Sequence, residues 1–388
     1  MPSVKSGSIT GSPGLYVKPH KKSFSCPVKL ERELREVDEG TVIYPPSSAD
    51  DLMLKVNGAT MAHGNRYTVP AFNSVAQAIA PGLSLLVPNI AGINRRPRSS
   101  RESFSRKEAI RIFNAVVDLR FEDDLSLCQL VVNERDGHIE GLLGPKTHYL
   151  ENLTLFQMIQ DMLGETADTE FCEGLVAGRH LMLRYTHTEA LTTIEGEEPD
   201  AFYYGYHFAN SESGDASVRA APLVYRALDG TGSLIHLKES GRQFHTGKDF
   251  SAKLAHLISS VLLTDTDNAR LCASLLSMSE QTLDLDPETP GALKQQMGSL
   301  EQSLRHDTKA VTNAMARNIV KHAVYVGSYG AEPDTDVEYL THRNSVIRGR
   351  TQFDVYNAIT REAQRLAIPV REGVERTAHD YMVRTGVK

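Results

Sequence analysis

Between Arg106 and Arg120, Ala109, Ile110, Ile112, Phe113, Val116 and Val117 recur at three- and four-residue spacing. That is the one-sided stripe of an amphipathic helix. Ser105 as N-cap and Glu108 three residues on complete a capping box. Upstream, short extended pieces (Thr41–Tyr44, Leu52–Val56, Tyr67–Val69) lie between Pro and Gly signals, and Pro81-Gly82 stops a helical turn at Ser74–Ile79. Ser126–Asn133 and His138–Leu143 read as a hairpin around Asp136-Gly137, a pair that supplies the positive φ of tight hairpin turns. Thr154–Leu163 reads as a helix.

The middle of the chain has the two-residue period of strands. Ala201–Ala209 places Phe202, Tyr204, Tyr206 and Phe208 on one face and Tyr203, Gly205, His207 and Ala209 on the other. His180–Thr186, Ser217–Leu228 and Ser233–Lys238 are further strands, with Asp229-Gly230-Thr231-Gly232 as the last turn. Adjacent strands with short connections predict an antiparallel sheet. The final third returns to helical spacing. Leu254, Leu257, Ile258, Val261 and Leu262 form one stripe, and Leu293, Met297, Leu300 and Leu304 another that Asp307 interrupts. Phe353–Leu366 and Val370–Val383 are expected as two helices separated by Pro369.

These elements predict an α+β fold: a central antiparallel sheet with flanking helices and a helical C-terminal region. Composition divides it further. Residues 1–26, rich in Ser, Gly, Pro and Lys, read as a flexible arm. Then come an N-terminal α+β region (27–150), the central sheet with helices (151–283) and, after the linker-like Asp284–Pro290, a helical region (291–388) packing on the sheet.

With 388 residues and 40% hydrophobic composition the chain can bury a substantial core. Mean hydropathy is −0.31 and no run of 18 apolar residues occurs, so no membrane partner is expected. Met1–Lys5 lacks an apolar signal core, and a cytoplasmic setting follows as the expectation. Cys26, Cys128, Cys172 and Cys272 have no CxxC spacing and are expected as reduced thiols. No phosphate-binding, dinucleotide or nucleophile-elbow motif occurs, and no histidine pair has a metal-ligand spacing. No cofactor and no metal are expected.

Net charge is −7, but the sign is uneven. Residues 1–35 carry seven Lys or Arg, while 186–200 carry Glu189, Glu195, Glu197, Glu198 and Asp200 with no cation. Arg95, Arg96, Arg98, Arg101, Arg106 and Lys107 lie in one loop. Cations that dense, within roughly one Debye length of ~8 Å, favour phosphate, against the alternative of a solvated loop.

Two short motifs stand out. Asn210-Ser211-Glu212-Ser213-Gly214 follows the aromatic strand directly; its residue types make tight turns, and Asn210 and Glu212 are alternatively placed in a pocket at the sheet edge. In Asp354–Thr360, Asn357, Thr360 and Gln364 share a helix face, with Val355, Ile359 and Ala363 on another. Mid-helix Asn costs stability and usually has a partner, most often loop backbone.

The run Tyr206–Gly214, then Val218–Arg226, then Arg242 and His245, together with Tyr356-Asn357-Ala358-Ile359-Thr360, resembles the phage and plasmid proteins grouped as the DUF932 family. The match spans residues 140–380. One departure is that Arg226 is followed by Ala227-Leu228-Asp229-Gly230, where many members carry Cys-x-Asn-Gly. The resemblance implies a mobile-element setting alongside DNA replication and recombination functions, and supplies no activity of its own.

The leading functional expectation is an accessory protein of phage or plasmid DNA replication or recombination. It would bind single-stranded DNA non-specifically through Arg95–Lys107 and promote annealing, with bases stacked on Tyr203, Tyr204 or Tyr206. One alternative is a particle assembly protein that forms homo-oligomers. Another is an enzyme acting on a phosphate-bearing substrate through Asn210, Glu212, Arg226, His245 and Asn357, which requires those groups within hydrogen-bond reach of one another.

Overall fold

The computed structural model describes residues 21–44, 66–67, 107–108, 111–112, 115, 129–135, 138–143, 147–164, 168–194, 200–214, 216–227, 230–235, 250–259, 261, 265–281, 295, 298–299, 301–302, 312–320, 351–366 and 368–386. In chain order the elements are β1 (Lys21–Phe24), α1 (Pro27–Asp38), β2 (Thr41–Tyr44), β3 (Arg66–Tyr67), β4 (Gln129–Asn133) and β5 (His138–Leu143). They continue with α2 (Asn152–Gly164), β6 (Thr169–Ala177), β7 (His180–Ile194), β8 (Asp200–Ser211), β9 (Arg219–Arg226) and β10 (Thr231–Leu234). Helices α3 (Phe250–Ser259), α4 (Asp265–Glu280), α5 (Gln352–Gln364) and α6 (Ile368–Gly386) complete the set, with a further helical stretch at 313–320.

The large sheet has six strands in the order β1-β6-β7-β8-β9-β10, each antiparallel to its neighbour. The small sheet has the order β2-β4-β5-β3, with β3 parallel to β5. The fold is therefore α+β with an antiparallel sheet and flanking helices. Alternation along β8 decides the layers. Phe202, Tyr204, Tyr206 and Phe208 are all buried on one face, in the same core cluster as Leu30 and Leu34 of α1 and Leu155, Phe156 and Ile159 of α2. Edge-to-face rings run across this face from Phe156 through Phe171 and Tyr185 to Phe208. A Cβ at Gly174 would lie 2.5 Å from Leu30 Cδ2, so the missing side chain there lets Leu30 of α1 sit close on β6.

The opposite face mixes charged residues with small apolar clusters, Leu175 and Met182 against Ile368, and Ala221, Leu223 and Leu234, and α6 packs on it. The sheet is also curled. Lys21 Nζ of β1 donates to Gln364 O (2.7 Å) and Leu366 O (3.3 Å), while Gln364 Nε2 donates to Gly230 O (2.9 Å) before β10. One helix–helix turn thus touches both sides of the sheet. Arg184 of β7 comes within 3.6 Å of where a Cβ on Gly232 of β10 would stand, although the two strands are not neighbours.

Four sequence expectations need correction. The 1–26 arm ends earlier, because Lys21–Phe24 pair with Gly174–Ala177 as the edge strand of the large sheet. Helix α1 was not anticipated: its buried stripe is only Leu30 and Leu34 among charged residues. Strand β6 was also missed, since its run TEFCEGLVA does not alternate cleanly. Pro369 lies in the first turn of α6 rather than between helices, a position where its missing N–H has no intrahelical acceptor to lose. Leu52–Val56, Ser74–Ile79 and Asp136-Gly137 lie outside the described residues.

Candidate functional site

The turn Asn210–Gly214 closes the end of β8 and sits at the junction of the two sheets. Gly214 has φ +79° and donates its N–H to Ser211 O at 3.4 Å. Asn210 Nδ2 donates to Leu150 O and to Asn152 Oδ1, both at 3.0 Å. Asn152 Nδ2 in turn donates to Arg179 O at 3.0 Å. The small sheet approaches the same turn closely: a Cβ on Gly141 of β5 would stand 2.8 Å from Ser213 Cα.

Arg179, in the two-residue turn between β6 and β7, is the hub of this junction. Its guanidinium meets Glu212 Oε2 (2.9 Å), Asp38 Oδ1 (3.2 Å) and the Glu140 carboxylate, and donates to Thr41 Oγ1 (2.7 Å). Glu212 also accepts the Asn152 backbone N–H, and Asp38 Oδ1 and Glu212 Oε2 both accept from the same nitrogen, Arg179 Nη1, while Asp38 Oδ2 is buried with no hydrogen-bond partner among the described residues. Three carboxyls therefore surround one guanidinium. Burial pushes the Glu212 carboxyl up to about 8, against the pull of Arg179. Burial likewise raises Asp38 to about 6, again opposed by Arg179. Tyr149 beside them is held above its ordinary range by burial and by the Glu212 charge.

A second network lies under α6. Strand alternation puts Glu173 (β6), Arg184 (β7), His207 (β8) and Arg219 (β9) on the face opposite the aromatic one, and α6 presents Arg371, Glu372 and Glu375 to them. Arg184 pairs with Glu375, both wholly buried. Arg371 bridges Glu375 (2.8 Å) and Glu173 (3.0 Å). Glu372 forms an ion pair with Arg219 Nε (2.7 Å), accepts a hydrogen bond from Arg219 Nη2 (3.1 Å) and is bonded to His207 Nε2 (2.9 Å). Burial drives Glu372 up, but its hydrogen bond from His207 and the Arg219 charge outweigh it and hold the carboxyl at about 2. Burial keeps the His207 imidazole below its ordinary range. These groups form a charge-matched seam that docks α6.

The candidate residues read from the sequence divide accordingly. Asn210 and Glu212 come together at the junction, both buried and both engaged in hydrogen bonds. Arg226 does not join them. It pairs with Phe202, eight residues back along β8 from Asn210, about 26 Å away at ~3.3 Å per strand residue. There its guanidinium lies 5.9 Å from the Phe353 ring centroid. Asn357 is half-buried on α5, its Oδ1 without a hydrogen-bond partner among the described residues. His245 and Arg95, Arg96, Arg98, Arg101 and Arg106 lie outside the described residues. Lys107 is exposed on a helical stretch. Tyr204 and Tyr206 cannot stack bases as expected, because both are buried; Tyr204 donates to Val261 O at 2.7 Å and Tyr206 bonds His187 at 3.0 Å. Tyr203 is half-buried.

The sequence reading missed Arg179, Asp38, Glu140, Arg184, Glu372 and Glu375. A signal existed for one of them: Arg184 interrupts the apolar run His180–Tyr185, where a charge implies a buried partner. Among the described residues no group of three or more His, Cys, Asp or Glu is placed to hold a metal ion. Among the same residues no helix is long and apolar enough to cross a membrane. Comparison of the chain with protein families, curated proteins and solved structures finds no match in any of the three.

Proposed function

We propose that this chain is an accessory protein of phage or plasmid DNA replication or recombination that holds single strands non-specifically through the basic segment 94–107 and promotes annealing. The observation that carries the reading is the density of cations there: Arg95, Arg96, Arg98, Arg101, Arg106 and Lys107 against Glu102 alone. Each phosphate neutralised releases counterions, so such a cluster gives affinity without base readout. Two features of the folded body support it. Lys107 and Arg111 are both exposed and one helical turn apart, extending the basic run along one helix face. The buried cations Arg179, Arg184 and Arg371 are engaged by carboxylates, so they do not compete for phosphate. The mobile-element setting rests on the motif resemblance to DUF932. With Tyr204 and Tyr206 in the core, the mechanism is electrostatic.

Fluorescence anisotropy of labelled single- and double-stranded oligonucleotides, titrated with salt, tests this. Binding should weaken steeply with salt. Changing Arg95, Arg96 and Arg98 to Ala should lower single-strand affinity and flatten the log–log salt slope by about 2, at ~0.7 per lost phosphate contact. Absence of binding at low salt, or a triple variant that binds as the parent does, overturns the reading.

A further inference from the structure

Among the described residues, three carboxyl groups at the junction between the sheets meet the guanidinium of Arg179. We propose that Asp38 and Glu212 form a proton-operated latch: with one proton shared between them the small sheet is fastened to the large one, and loss of that proton loosens the junction. The latch is independent of the nucleic-acid reading.

The geometry carries it. Five segments packed at this point contribute a charged or titratable group, and β2 adds the neutral hydroxyl of Thr41. Asp38 comes from the end of α1, Glu140 from β5, Arg179 from the β6–β7 turn and Glu212 from the turn after β8, while Tyr149 and Glu151 precede α2. Arg179 reaches Glu140, Asp38 and Glu212 at once, and these span both sheets. Glu212 is wholly buried and Asp38 mostly so. Asp38 and Glu212 accept from one nitrogen, Arg179 Nη1, at 3.2 and 2.9 Å; two bare carboxylates held that close repel, and burial removes the water that would screen them. With the proton in place, two carboxylates face one guanidinium; without it, three do. The Asn152 N–H and Arg179 already serve Glu212, while Asp38 Oδ2 is buried with no hydrogen-bond partner among the described residues, the place a proton would sit. Gly141 makes the contact unforgiving, because its backbone lies directly on Ser213, and a junction that swells must separate there. The Glu212 carboxyl, raised to about 8 by burial, loses its proton in the mildly alkaline range.

Hydrogen exchange of the full chain, followed by mass spectrometry and corrected for intrinsic rates, reads the latch. Peptides covering 138–143 and 210–214 should exchange about tenfold faster at pH 9 than at pH 7, the factor for the one pH unit between pH 7 and the Glu212 transition, above which the response levels off. Peptides from α5 should not change. Glu212→Gln, which keeps the hydrogen-bonding shape without the charge, should make the junction peptides insensitive to pH, and Asp38→Asn should do the same. Junction protection that is flat with pH in the parent chain overturns the proposal whether or not either variant folds. A pH response that survives in a folded Glu212→Gln or Asp38→Asn chain also overturns it.

Discussion

At Gly141 the consequence of a single added methyl follows from backbone geometry. A Cβ there would stand 2.8 Å from Ser213 Cα and 2.9 Å from Ser213 O, with backbone rather than a flexible side chain in the way. Gly141→Ala is expected to destabilise by ~1–3 kcal/mol, the usual range for overpacking, read as a lower denaturant midpoint. Arg184 is the complementary case, a wholly buried cation paired with a wholly buried Glu375. Arg184→Met should cost ~3–5 kcal/mol, because it strands a carboxylate without its partner. Pairing it with Glu375→Gln should recover part of that loss in a double-mutant cycle. Arg184 carried a sequence signal, a charge inside an apolar run, but its partner was not legible, and Gly141 carried none. Gly141 is one of 28 glycines, and what it touches is distant in the chain.

Elements were more legible than contacts. The two-residue period of Ala201–Ala209 named the strand and its buried face, and β8 buries that face as expected. The hairpin of β4 and β5 and the helices α2, α3, α5 and α6 also fall where periodicity placed them. Strand β6 and helix α1 failed because their packing partners, not their own patterns, hold them. Helix α5 carries its own start signal. Asp354 accepts the Thr351 N–H at 2.9 Å, and Asp354 N–H donates to Thr351 O at 3.1 Å. Asp354→Ala should cost ~1 kcal/mol by losing that cap, measurable as a small fall in melting temperature with unchanged circular dichroism at 25 °C. Helix α6 depends on its surroundings instead. Its Arg371, Glu372 and Glu375 read as a solvated face in isolation, yet the curled sheet buries all three.

The two charge networks give the whole molecule opposite pH responses. Glu212 has a folded value near 8, above the ordinary carboxylate range. Its contribution is therefore complete below that ordinary range and is lost as pH rises toward 8. Glu372, held near 2, behaves in the reverse sense: its contribution is present above the ordinary range and is lost as pH falls toward 2. His207, depressed by burial, adds to the acid-side loss. Stability should peak between these limbs. Urea denaturation from pH 3 to pH 9 should show a falling alkaline limb that Glu212→Gln flattens while the acid limb persists. An alkaline limb unchanged in that variant would assign it to other groups.

The sequence by itself determined the class of fold, the buried face of β8, the helical C-terminal region and the tight turn at Asn210–Gly214, because each depends on short-range periodicity or backbone preference. It also located the density of positive charge at 95–107, which is a property of composition. Tertiary structure decided what the polar residues do. Glu212 became the partner of Arg179, on the same guanidinium nitrogen as Asp38, and Arg226 was carried to the far end of β8 from Asn210. Arg184 was laid across the inside of a curled sheet onto Glu375. Those outcomes depend on which distant strands and helices meet, and on burial that turns an ordinary carboxyl into one that keeps its proton.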